Sequence, residues 1–145
     1  MKIYLVSACL AGEQCRYDGG ANTCPEVQEL VRAGLAIPVC PEMLGGLPCP
    51  RVPCERRDDK VLAQDGTDCT AAFHRGALAA REIARKHGCR AAILKAKSPS
   101  CGAGEIYDGT FSRTLTAGDG LCAALLRAEG LDIFTEKNLP RHLSL

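Results

Sequence analysis

Short apolar runs alternate with helical periodicities along this chain. Ile3-Tyr4-Leu5-Val6 opens it, Leu35-Ala36-Ile37-Pro38-Val39 and Ala91-Ala92-Ile93-Leu94 follow, and Ile133-Phe134 ends the series. Aliphatic runs this short, bounded by turn-forming residues, read as buried strands, predicted here over 2–7, 35–39, 91–95 and 133–134. The segments between them have a different period. Val27, Leu30 and Val31 share one helical face, with Thr23-x-x-Glu26 as a capping box at the start and Gly34 as the stop. Phe73, Ala77, Ala80 and Ala84 recur at helical spacing in a longer element. Thr67 or Asp68 caps it, and it runs to His87 with Gly88 as its stop. Leu121, Ala124, Leu125 and Ala128 predict a helix over 119–129, ended by Gly130.

Alternating strand and helix implies right-handed crossovers and a mostly parallel sheet. The expected fold is a single α/β domain over residues 1–145, Rossmann-like or flavodoxin-like, with about four mostly parallel strands and flanking helices. A small hairpin is added where Asp108-Gly109 separates Ile106-Tyr107 from Thr110-Phe111. Residues 41–66 hold half of the chain's eight prolines. So long a connection inside a compact domain is usually functional.

Composition narrows the class. Hydrophobic residues make up 46% of 145, but aromatics only 4% with no tryptophan, so the core is aliphatic and alanine-rich. A net charge of +1 with scattered basic residues argues against a protein built to neutralise a phosphate backbone, and no stable nucleic-acid binding is expected. Met1-Lys2-Ile3-Tyr4 runs straight into a strand without the apolar core of a signal peptide. No stretch approaches the length of a membrane span. The expected location is cytoplasmic and the expected partner a small molecule.

Ten cysteines in such a chain are not five structural bridges, because cytoplasmic thiols stay mostly reduced. Cys69, Cys89 and Cys122 fall in or beside helical patterns and read as small buried hydrophobes. Cys9, Cys40 and Cys101 are different, because each follows a predicted strand. In an open parallel sheet, ligands bind outside the carboxyl ends of the strands, so three thiols from distant segments can meet at one point. Three soft ligands at a point suggest a metal cluster. Structural zinc is disfavoured: the chain has no Cys-x-x-Cys, and His74, His87 and His142 have no ligand spacing around them. An iron–sulfur cluster fits better, since its thiolates need not be neighbours in sequence. On these residues alone it stays one of several soft-site options.

Three motifs carry a resemblance. They are Ser7-Ala8-Cys9-Leu10 with Cys15-Arg16-Tyr17-Asp18-Gly19; Cys40-Pro41-Glu42 with Gly45-Gly46-Leu47 and Pro50-Arg51; and Lys97-Ser98-Pro99-Ser100-Cys101-Gly102. In this order they make the chain similar to a bacterial and archaeal domain family that includes the thiouracil desulfidases. The resemblance implies a 4Fe–4S cluster held by Cys9, Cys40 and Cys101, together with a catalytic glutamate at Glu42 and a catalytic serine, placed at Ser98 in preference to Ser100. It implies non-redox removal of sulfur from a thiolated pyrimidine such as thiouracil. An iron without a protein thiolate binds the sulfur, Glu42 takes a proton from the attacking water, and Ser98 orients that water or relays a proton. Cys15 is a fourth ligand or a nearby thiol, and Cys49 and Cys54 depart from the family's pattern. Arg16 and Arg51 either pair with carboxylates or bind an anionic group. The alternative reading is a sulfur or iron–sulfur cluster carrier using the same cysteines, which needs no base.

Overall fold

A computed structural model describes residues 2–140. In chain order the elements are β1 (Tyr4–Ser7), α1 (Pro25–Arg32), β2 (Ala36–Val39), α2 (Pro41–Leu44), β3 (Cys54–Arg57), β4 (Lys60–Ala63), α3 (Thr70–Lys86), β5 (Ala91–Leu94), β6 (Glu105–Tyr107), β7 (Leu115–Ala117), α4 (Leu121–Ala128) and β8 (Asp132–Thr135). Four strands make one parallel sheet in the order β2-β1-β5-β8. The expected α/β architecture is therefore present. Counting sheet strands along the chain, the order is 2-1-3-4, which places a change of winding direction between β1 and β5.

Side-chain alternation assigns the two faces. Tyr4 and Val6 with Ala91 and Ile93 pack beneath Val27 and Leu30 of α1. Leu5 with Ala92 and Leu94 packs on the other face, against Ala77, Ala80 and Ala84 of α3 and Ala123 and Leu126 of α4. The central strands β1 and β5 are buried at every residue, which is why they read as unbroken apolar runs. Fully burying each of Leu5, Val6, Ile93 and Leu94 is worth about 1.5–3 kcal/mol.

Several local expectations need correcting. The Thr23–Glu26 capping box does not form. A residue before proline is driven to extended backbone. Cys24, at φ −115° and ψ 113°, therefore becomes the cap and Pro25 starts α1. Asp68 does accept the Thr70 amide at 2.9 Å, but the cap position of α3 is Cys69. Residues 41–66 are not a bare loop, for they contain α2 and the β3–β4 hairpin. Asp108-Gly109 is not a two-residue turn. Tyr107 pairs with Leu115, so the connection runs over 108–114 and Thr110-Phe111 lies outside the strands. Among the described residues, no helix is long and apolar enough to cross a membrane.

The second hairpin and α2 sit where the site will be. Gly45 in the turn after α2 and Gly76 in α3 let the two backbones touch. A Cβ on Gly76 would stand 1.7 Å from the Pro41 carbonyl oxygen, and one on Gly45 would stand 1.9 Å from that of Ala72.

Candidate active site

The carboxyl ends of β1, β2 and β5 open into a cavity of about 490 Å³. Cys9 reaches it from the 3-10 turn Ala8–Ala11 that follows β1. Cys40 reaches it from the residue just past β2, where it is the cap position of α2. Cys101 reaches it from the loop after β5. The three sequence-predicted thiols thus line one space, as expected for ligands at strand carboxyl ends. Cys15 lines it too, and so does Cys54 from β3. Cys49 is not among the lining residues. It donates to the carbonyls of Gln14 and Arg16 at 3.2 and 3.3 Å.

The thiols differ in chemistry. Cys40 Sγ donates to the Cys15 carbonyl at 3.8 Å. Once ionised it takes the Cys15 thiol as a donor, and this, with smaller help from the Met43 amide and the Arg51 guanidinium, pulls Cys40 down to about 6 against burial and the Glu42 charge. Cys15, as the donor, is pushed far up. Burial raises Cys9, partly offset by its bond to Asn22 and by the Lys95 charge. Burial raises Cys101 strongly. Cys122 behind it is fully buried and is pushed up to about 12 by burial, and Cys89 is buried as well, both packing residues as expected. Cys69 is half-buried at the cap of α3. His74 and His87 stay on the surface away from the cavity, and His142 lies outside the described residues.

The donor set fits an iron–sulfur cluster. All three candidate ligands are sulfur, they come from three separate loops, and a thiol held protonated by burial can give its proton up to bind a metal. Among the described residues, no group of three His, Cys, Asp or Glu side chains is placed to hold a single metal ion. Thiols spread around a cavity suit a multi-iron cluster, whose ligands bond different irons.

Beside the thiols lies a hydrogen-bonded chain. Arg51 Nε donates to Glu42 Oε1 at 3.0 Å, and both side chains are largely buried. The same guanidinium donates to the carbonyls of Cys15 at 2.9 Å and Pro48 at 3.1 Å, so it is locked in place. Of the two roles left open for Arg51, pairing with a carboxylate is the one seen here. Arg16 pairs likewise, with Asp18 at 3.2 Å, and also donates to Asn22. The second Glu42 oxygen accepts from Ser100 Oγ at 3.2 Å. Ser100 Oγ lies 3.0 Å from Ser98 Oγ and 3.6 Å from Cys101 Sγ. Ser98 Oγ already accepts the amides of Ser100 and Cys101 at 3.1 and 3.0 Å, which leaves its proton to point at Ser100. The order is therefore Ser98 to Ser100 to Glu42, with Ser100 buried and Ser98 only half-buried.

Other lining residues had no local signal. Lys95 enters the cavity while pairing with Glu136 at 3.0 Å. Glu55, Tyr107, Phe111 and Arg113 come from the two hairpins. Their convergence depends on where β3 and the β6–β7 loop dock, which no periodicity reports.

Known proteins resemble this chain in sequence and fold. A solved structure of the 4Fe–4S-dependent thiouracil desulfidase TudS superposes with a TM-score of 0.92 at 44% identity, over 97% of this chain and 94% of that one. The uncharacterised protein YbbK of Bacillus subtilis (strain 168) is 38% identical over 93% of this chain and 96% of its own length. Residues 4–138, which hold all three cysteine motifs and every residue of the Ser98–Ser100–Glu42 chain, match the 2-thiouracil desulfurase family, and this protein belongs to it.

Proposed function

We propose that this chain removes sulfur from thiolated pyrimidines such as thiouracil, using a 4Fe–4S cluster held by Cys9, Cys40 and Cys101. The observation that carries the reading is the meeting, in one cavity, of three strand-end thiols with a buried carboxylate tied to two serines. When bound, such a cluster supplies a soft Lewis-acid iron for the substrate's sulfur.

The protein's own groups provide the rest. Glu42 lies two residues from Cys40 on α2, so its carboxylate is delivered to the same cavity. Arg51 engages Oε1 and leaves Oε2 for proton traffic. Glu42 accepts a proton from a water that attacks the thiocarbonyl carbon. Ser98 and Ser100, donating in series toward that carboxylate, orient it, and the protonated Glu42 returns its proton to the substrate ring or the leaving sulfur. Hydrolysis of a thiocarbonyl to a carbonyl needs water and proton transfers and no net electrons. A cluster or sulfur carrier has no use for this proton chain. The protein acts on a small molecule in the cytoplasm, as a single catalytic unit.

The test is anaerobic reconstitution followed by thiouracil turnover. Loss of thiouracil absorbance should be matched by equal amounts of uracil and sulfide. An iron-loaded protein that leaves every free thiopyrimidine intact would refute the assignment.

A further inference from the structure

The β6–β7 loop holds an arrangement that neither the fold nor the proton chain explains. Phe111 has φ +56° and Arg113 φ +60°. A bulky residue in the left-handed region is unfavourable and persists where its surroundings hold it there. The surroundings here are identifiable. Glu55 Oε1 accepts the amides of Gly109 and Phe111 at 3.0 and 3.1 Å. Arg57 donates to the Gly109 carbonyl at 3.1 Å. Gly109 sits so close to β3 that a Cβ on it would come 2.8 Å from that of Arg57. The β3–β4 hairpin thus grips the loop and sets the direction of Phe111.

That direction is into the cavity, which Phe111 and Glu55 both line. The chain has only three Phe and three Tyr. Tyr4 and Phe73 are core residues and Phe134 packs against the core. Tyr17, Tyr107 and Phe111 line the cavity. Phe111 belongs to none of the buried apolar clusters of the described residues, and it carries no polar group. An apolar ring held in a strained backbone at a cavity wall suits a flat conjugated partner, which gains by stacking on it.

We infer that Phe111 is a specificity-determining residue whose ring stacks on the thiopyrimidine, and that Glu55 is a positioning residue acting through the loop; this rests on the desulfidase reading for the ligand's identity. Glu55 does not itself contact the substrate. Its acceptor oxygen is what matters, so Gln should replace it and Ala should not.

The test uses reconstituted full-length Phe111→Ala, Phe111→Leu, Phe111→Tyr, Glu55→Ala, Glu55→Gln and the Phe111→Ala/Glu55→Ala pair. Each is matched for iron content and circular dichroism. Thiouracil kinetics and calorimetric binding of uracil are measured together. Phe111→Ala should raise the thiouracil KM and the uracil Kd about tenfold or more, with a smaller change in kcat, as expected for loss of one base-stacking contact. Phe111→Leu should lose nearly as much, and Phe111→Tyr should recover wild-type values. Glu55→Ala should reproduce the Phe111→Ala loss, Glu55→Gln should not, and the double variant should be no worse than Phe111→Ala alone. A wild-type KM and Kd in Phe111→Ala would overturn the assignment, and additive losses in the double variant would overturn the role of Glu55. A wild type that binds uracil through Phe111 yet releases no sulfide would leave the contact standing and sink the desulfidase reading. A wild type that binds neither pyrimidine sinks both.

Discussion

Gly76→Ala is a one-carbon change at a residue of α3 that does not line the cavity, and it should disable the site. The added Cβ would lie 1.7 Å from the Pro41 carbonyl oxygen. An ordinary contact between carbon and carbonyl oxygen is about 3.3 Å or more, so the two backbones must part by roughly 1.5 Å. No rotamer can relieve this, because both groups are main chain or fixed to it. Overpacking of this kind costs about 1–3 kcal/mol, occasionally more, while alanine in a helix gains about 1 kcal/mol over glycine. A steep clash takes the upper end, giving a net loss of about 2 kcal/mol and a Tm lower by about 5–8 °C for a chain of this size. The partner that yields is α2, a single turn carrying Cys40 at its cap and Glu42 in its first turn. A misplacement of about 1 Å at a reacting group is enough to lose about a hundredfold in rate. Calorimetry gives the Tm, and turnover per bound iron separates misplacement from lost cluster. Wild-type Tm and turnover in Gly76→Ala would refute the reasoning that this Gly–Gly contact seats the site.

Other outcomes follow from the same geometry. Cys9→Ser, Cys40→Ser and Cys101→Ser should each lose iron on reconstitution while Cys89→Ala and Cys122→Ala keep it, and full iron loading in Cys40→Ser would refute its role as a ligand. Glu42→Gln should retain the cluster and lose turnover by about 10²–10⁴-fold, the usual worth of a general base; a wild-type rate would make the carboxylate structural. Ser98→Ala and Ser100→Ala should both slow turnover by breaking the hydrogen-bonded chain that orients Glu42. The first should slow it more, because it also strips the acceptor of the Cys101 amide. In metal-free protein, Cys40, drawn down to about 6 by the Cys15 thiol, should alkylate readily at pH 7 and lose reactivity as pH falls through 6. Cys54, pushed up to about 12 mainly by burial, should stay unreacted under the same conditions. Mass mapping after iodoacetamide checks both. Because the folded-state value of Cys40 lies below the ordinary 9.0, its thiolate contributes stability above pH 9 that fades between 9 and 6.

Patterning along the chain determined the sheet. Ala91-Ala92-Ile93-Leu94, short and bounded by turn-forming residues, reads as a strand buried on both faces, and Val27, Leu30 and Val31 recur at the spacing of a helix covering one of them. Because strand carboxyl ends lie together in a parallel sheet, the places of Cys9, Cys40 and Cys101 were legible from position alone. The motifs around them supplied Glu42 and the serines. Hydrogen-bond direction was not legible. That Ser98 accepts two amides and so donates toward Ser100 depends on how the loop after β5 folds back on itself. The pairing of Arg51 with Glu42 depends on how residues 48–53 return to α2. The start of α1 moved because Pro25 restricts Cys24, a local effect that overrode an apparent capping box. Thr110-Phe111 suggested a strand, yet Glu55 and Arg57 hold the segment in a loop with Phe111 at positive φ. Propensity is a property of a few neighbouring residues. Bonds from a hairpin more than fifty positions away in the chain lie outside its reach, and only the assembled tertiary structure brings them to bear.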